Sequence, residues 1–138
     1  MTAEKLLSVR DLEVSFALRS GTYKAVKGVS FDLDKGERLG LVGESGAGKS
    51  ITGFSIINLI SAPGRITGGS VLFEGTDLSK LPPEAMRHIR GNRVAMIFQD
   101  PMMTLNPVLT IGQQMLETIR AHMSVSDAEA RRIAVEKL

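Results

Sequence analysis

Gly43-Glu44-Ser45-Gly46-Ala47-Gly48-Lys49-Ser50 fits the spacing G-x-x-x-x-G-K-[ST]. Chemically this is a polyphosphate cradle. Successive main-chain N–H groups in such a loop point inward and form a concave anion site. The unpaired N–H groups at the start of a following helix, with the positive end of its dipole, face the same point. A side chain at Gly43, Gly46 or Gly48 would obstruct the close approach of main chain to phosphate. Lys49 is placed to reach β- and γ-phosphate oxygens, and the Ser50 hydroxyl to sit on a Mg²⁺ ion bridging them. Chance gives the spacing in about one chain in 200 of this length, so a ligand-free glycine turn is the weaker reading.

The flanking residues supply the elements that must hold such a loop. Leu39-Gly40-Leu41-Val42 reads as a buried strand leading in, and Ile51 to Ile60 as a largely buried helix leading out. Upstream, Leu7, Val9, Leu12, Val14 and Phe16 alternate with one slip at Arg10-Asp11, which predicts a strand pair or a bulged strand. Arg19 to Thr22 is a turn. Tyr23 to Leu33 is a second strand with Ala25, Val26, Val29, Phe31 and Leu33 on its apolar face, and Asp34-Lys35-Gly36-Glu37 is a turn. Downstream, Ile66 to Gly75 reads as a strand entered through glycines. Thr76 to Lys80 is a turn, Pro82 to about Arg90 a helix ended by Gly91-Asn92, and Val94 to Phe98 a buried strand. Gln99 and Asp100 leave that strand at its C-terminal end, where open α/β sheets place ligands. Leu109 to about Met123 is helical, with Ile111, Met115, Leu116 and Ile119 on one face. Ser126-Asp127-Ala128-Glu129 is a capping-box signature for a last helix that runs to Leu138.

The 138 residues, 43% of them hydrophobic, are enough for one modest core. A net charge of +2 is too small to argue for nucleic acid or an anionic membrane. With no cysteine there is no disulfide framework or thiolate metal site. Met1 to Lys5 leads straight into a strand pattern with no signal peptide, and no apolar run approaches a membrane span. His88 and His122 sit in polar-flanked helical positions and read as surface residues.

Three stretches together resemble one family: Ala25-Val26-Lys27-Gly28-Val29-Ser30-Phe31, the loop Gly43 to Ser50, and Met96 to Pro107 (Met-Ile-Phe-Gln-Asp-Pro-Met-Met-Thr-Leu-Asn-Pro). The chain resembles the nucleotide-binding domain of ABC transporters, most closely the ATPase subunits of bacterial dipeptide, oligopeptide and nickel importers. The resemblance covers the whole chain but only the first half of the family's domain. It implies an α/β chain: a P-loop NTPase core with an N-terminal antiparallel β subdomain over residues 1–101 and the start of an α-helical subdomain over 102–138, truncated. It also implies a transport-coupled ATPase with ATP and Mg²⁺ as cofactors. The implied partners are a second nucleotide-binding subunit and integral membrane permease subunits. No nucleic acid and no direct membrane span are implied, and the location would be cytoplasmic, peripheral on the inner face of the membrane.

By that resemblance the catalytic residues are Lys49 and Gln99. The ATP-binding residues are Phe16 and the run Gly43, Glu44, Ser45, Gly46, Ala47, Gly48, Lys49, Ser50 and Ile51. The metal-facing residues are Ser50 and Gln99, Gln99 being the glutamine of the Q-loop. Phe16 matches the family's adenine-stacking aromatic best, with Tyr23 second. A threonine of many relatives is replaced by Ile51, which leaves only its main-chain N–H for the α-phosphate. The family's signature loop, Walker B Asp-Glu and switch histidine have no counterpart in the chain. Weak nucleotide binding and negligible turnover are therefore expected of it alone. Two other readings stay open: a small stand-alone P-loop phosphotransferase using Asp100 for Mg²⁺, and a non-enzymatic folded fragment.

Overall fold

A computed structural model describes residues 5–138, with only the main chain of Pro101 and Met103; Met1 to Glu4, read above as leading into the first strand, lie outside the described residues. The chain forms two compact units, Met1–Arg87 and His88–Leu138.

The first unit is built on a four-stranded antiparallel sheet in the order β2-β1-β3-β4. Its strands are β1 (Lys5–Leu18), β2 (Gly21–Asp34), β3 (Gly64–Phe73) and β4 (Thr76–Asp77). The slip read at Arg10-Asp11 is a bulge, with the pairing of β1 shifting between Val9 and Leu12 on the β2 side. The extra residue returns Leu12 and Val14 to the face already set by Leu7 and Val9, and all four are buried. Asp11 takes a left-handed conformation (φ 44°), and its N–H donates to Ser30 Oγ at 2.8 Å. Opposite the bulge, a Cβ on Gly69 would stand 2.3 Å from the Arg10 carbonyl oxygen, so only glycine lets β3 close on it. Val26, Val71, Leu78, Ile57 and Met86 complete this core. Each such side chain contributes roughly 1.5–3 kcal/mol on burial.

Helix α1 (Lys49–Ile56) ends earlier than its apolar run suggests. Asn58 adopts φ 51°, its N–H donates to Ser55 O at 3.0 Å, and Leu59 N donates to Phe54 O at 2.8 Å. This is a Schellman ending with asparagine in the left-handed position. The buried hydroxyls of α1 are satisfied within the helix: Thr52 Oγ1 donates to Gly48 O at 2.9 Å and Ser55 Oγ to Ile51 O at 2.7 Å. Asp77 caps the short 3₁₀ turn Leu78–Lys80, accepting from Ser79 N at 3.1 Å and Ser79 Oγ at 2.6 Å. Helix α2 (Pro83–Ile89) follows and buries Met86.

Two expected strands do not form. Among the described residues, Leu39–Val42 and Val94–Phe98 pair with no strand, apart from a single bridge between Arg90 and Val94. Leu39 and Leu41 are exposed, and Val42 and Ile97 are almost fully so, at 93% and 94%. A strand needs a neighbour to take its main-chain hydrogen bonds, and apolar composition alone does not supply one.

In the second unit, α3 (Ile111–His122) packs with α4 (Asp127–Glu136), burying Ala130 and Ala134. Ser126 caps α4, accepting from Glu129 N at 3.3 Å, but the Glu129 carboxylate pairs with Arg132, so the expected box is only half made. Thr110 caps α3 through a full capping box with Gln113. His88 is exposed, but His122 is half-buried against Gly91, which corrects the surface reading for that residue: a Cβ at Gly91 would stand 3.0 Å from His122 Nε2.

Candidate phosphate-binding site

The eight-residue loop connects the extended Leu39–Val42 segment to α1. Its shape comes from two glycines with positive φ, Gly46 at 81° and Gly48 at 87°. Gly48 is the N-cap of α1, and no side chain caps the helix. The first N–H groups of α1 therefore have no intrahelical partner and are available to an anion. Ala47 N donates to Glu44 O at 3.1 Å, which closes the loop on itself.

The reason for each glycine differs from a general need for room. At Gly48 a Cβ would stand 2.6 Å from the Ala25 carbonyl oxygen on β2, so this residue lets the loop lie on the sheet. At Gly43 a Cβ would crowd Ala47 Cβ at 3.1 Å, while at Gly46 it would meet nothing within 4 Å, and there the positive φ alone favours glycine.

Lys49 is folded over the loop. Its ammonium donates to Gly43 O at 2.8 Å and Glu44 O at 2.7 Å. Ser50 is exposed beside it and Ile51 half-buried. A cavity of about 390 Å³ opens here, lined by Gly46, Gly48, Lys49, Ser50 and Ile51 on the loop side and by Phe16, Tyr23 and Ala25 on the sheet side. Phe16 and Tyr23 are cross-strand partners and so share a face. They differ in setting. The Phe16 ring packs close against Gly64, where a Cβ would stand 2.5 Å from Phe16 Cε1, whereas Tyr23 is 53% exposed. In the sequence Ala25 belongs to an apolar strand face and opens the first of the three family-like stretches. Its approach to the loop is a tertiary contact with no local sequence signal.

Among the described residues there is no group of three or more His, Cys, Asp or Glu side chains fit to cage a metal. One hydroxyl at a helix start suits Mg²⁺ carried largely by phosphate oxygens and water, which is how that ion is commonly held.

Gln99 lies in the second unit, exposed, in a bend between the Val94–Phe98 segment and the 3₁₀ turn Pro101–Thr104. Asp100 shares that bend. Because no strand forms ahead of it among the described residues, Asp100 does not terminate one.

The family profile described as ABC transporter matches residues 26–137. The chain is 48% identical over 137 residues to the "Probable peptide ABC transporter ATP-binding protein y4tR" of Sinorhizobium fredii, covering 99% of this chain and 41% of that protein. It is 47% identical over 135 residues to the "Oligopeptide transport ATP-binding protein OppD" of Bacillus subtilis, covering 97% and 38%. Against the OppD of Escherichia coli the identity is 44% over 136 residues, covering 99% and 40%. The chain thus spans about two fifths of the length of these curated relatives. Among solved structures, the ATP-binding cassette MJ0796 bound to ADP and Pi superposes with a TM-score of 0.77 at 22% identity, covering 94% of this chain and 54% of that one. That likeness shows the fold, a P-loop NTPase cassette. With the family profile matching most of its length, the chain belongs to the ABC transporter family.

Proposed function

We propose that the chain is the phosphate-loop part of an ATP-binding subunit that powers peptide import. One observation carries the reading: an open cavity in which uncapped helix amides, Lys49 and Ser50 face two aromatic rings across the loop. That arrangement suits a ligand with a polyphosphate at one end and a flat base at the other. Residues 1–101 correspond to the β subdomain and core, and 102–138 to the start of the helical subdomain.

The loop amides from Gly43 to Ile51 would hold the phosphates, with Lys49 on the β- and γ-oxygens. Phe16, packed against Gly64, would stack on the base, with Tyr23 as the more exposed neighbour. Ser50 and Gln99 would face Mg²⁺, which when bound neutralises charge on the transferring phosphoryl group. The names of the relatives support peptide as the transported solute. Permease subunits and a second nucleotide-binding subunit as partners, at the inner face of the membrane, follow from membership of the ABC transporter family. Nothing among the residues of this chain matches the glutamate that polarises water or the signature loop of an opposing cassette. Alone, the chain should hold nucleotide weakly and turn it over negligibly.

The experiment is Mg·ATP binding to the purified chain and to Lys49→Ala, with steady-state hydrolysis measured in parallel. Binding lost in the variant supports the reading. Equal binding in both would reject the loop as the site, and turnover abolished by Lys49→Ala would refute the expectation of an inactive chain.

A further inference from the structure

A second cavity, of about 310 Å³, adjoins the one described above. Tyr23, Ala25 and Gly46 line both, so the two share a wall that runs from the aromatic end of the first cavity to its phosphate loop. The second cavity adds Lys24 and Lys27 from β2 and Ala47 from the loop, and no carboxylate is among its lining residues.

Both lysines reach this place because β2 is irregular here. Side chains three apart on a regular strand point to opposite faces. The pairing of β2 with β1 passes from Val26 with Val14 to Lys24 with Ser15, which leaves Ala25 over as a bulged residue. The extra residue returns Lys24 and Lys27 to one side. Glu13 marks that side: it is the cross-strand partner of Lys27, and its carboxylate accepts from Lys24 Nζ at 3.3 Å. A second bulge follows at Gly28, φ 81°, where the pairing steps from Lys27 with Glu13 to Val29 with Leu12. Val26, between the lysines, stays in the core. Because β2 is the edge strand of its sheet, the phosphate loop lies against it with no further strand between.

The charges do not cancel. Glu13 engages Lys24, whereas Lys27 is exposed and its ammonium has no partner among the described residues. A lysine ammonium is a compact point charge on a flexible stem, suited to a dianion whose oxygens need no fixed fork.

We propose that the second cavity is an anion subsite beside the nucleotide, with Lys27 as its principal ligand and Lys24 as the second. The group it takes is a phosphate monoester, carried on the ribose of the bound nucleotide or arriving as free phosphate. The first source rests on the nucleotide-binding reading above. A nucleotide lying from the rings to the loop sets its ribose along the shared wall, and a phosphoryl group on that ribose enters the second cavity. Free phosphate meets the same two ammonium groups without the ribose.

The test is an amide NMR titration of the full chain as wild type, Lys27→Ala and Lys35→Ala, the last removing an exposed lysine outside the cavity. The ligands are AMP, adenosine 3′,5′-bisphosphate, and inorganic phosphate added over saturating Mg·ATP. Wild type should bind the bisphosphate about tenfold more tightly than AMP, the effect of one charged hydrogen bond, with added shifts at the amides of Lys27 and Ala47. Lys27→Ala should remove that advantage and leave AMP binding unchanged, and Lys35→Ala should keep it. Inorganic phosphate separates the sources. Shifts at Lys27 and Ala47 that vanish in Lys27→Ala assign the subsite to free phosphate too, while a bisphosphate advantage without them assigns it to the ribose phosphate alone. Equal affinity for the two nucleotides in wild type, with no response to phosphate, overturns the proposal. So does an advantage that survives Lys27→Ala or falls equally in Lys35→Ala. If Mg·ATP shifts no amide from Gly46 to Ser50, the nucleotide reading fails, and phosphate alone then decides. A Lys27-dependent response at Lys27 and Ala47 keeps the subsite, and its absence removes it.

Discussion

Gly48 and Ala25 meet main chain to main chain: a Cβ at Gly48 would stand 2.6 Å from the Ala25 carbonyl oxygen, at a φ of 87°. The phosphate loop is thus seated on β2 through a residue that can only be glycine. Gly48→Ala combines a clash with left-handed strain and should lower stability by about 2 kcal/mol. A urea melt with unchanged m-value and lower midpoint would show it. An unshifted midpoint would mean that the loop can lift from the sheet.

Lys49→Ala should behave differently. Its ammonium bonds only to carbonyls of its own loop, so the fold should melt within about 0.5 kcal/mol of wild type. Affinity for Mg·ATP should fall about a hundredfold or more, the loss of two charged hydrogen bonds. Calorimetric titration beside a thermal melt checks both halves.

Phe16, half-buried, and Tyr23, exposed, line one cavity. Phe16→Ala uncovers Gly64 and should cost about 2 kcal/mol, whereas Tyr23→Ala should stay within about 0.5 kcal/mol. If Phe16 stacks on the base, its loss should also erase the preference for ATP over inorganic triphosphate. Competition binding with the two anions separates the roles.

Asp32 gathers Lys5, Ser8 and Arg10 on the sheet, with Ser8 Oγ at 2.7 Å and Arg10 at 2.6 Å. The Lys5 hydrogen bond, then that of Ser8, holds its carboxyl well below the usual carboxylate range. A depressed folded-state value favours the native state above the unfolded pKa, about 3.9, and the benefit is lost as pH falls below it. Asp32→Asn should flatten the fall in stability below about pH 4. Parallel acid titrations of wild type and variant that fall with the same slope would count against it.

The loop glycines, the bulge at Arg10-Asp11 and the cap at Ser126 were legible because each rests on chemistry within a few residues. Thr110-x-x-Gln113 carried the same kind of signal for α3 and went unread, as did Asn58 for the end of α1. Leu39–Val42 and Val94–Phe98 misled for the opposite reason. Their composition reads as strand, but a strand is a property of a pair, and no window of sequence contains the partner.

The ammonium of Lys49 is already engaged with Gly43 and Glu44. An arriving anion does not meet a bare cation. It must draw the lysine off two neutral dipoles and leave those carbonyls to water. Chloride or a lone carboxylate returns little for that exchange, while a polyphosphate replaces the lost partners through several oxygens at once. On the nucleotide-binding reading proposed above, the lysine's engagement with its own loop would favour dense negative charge over the dilute kind.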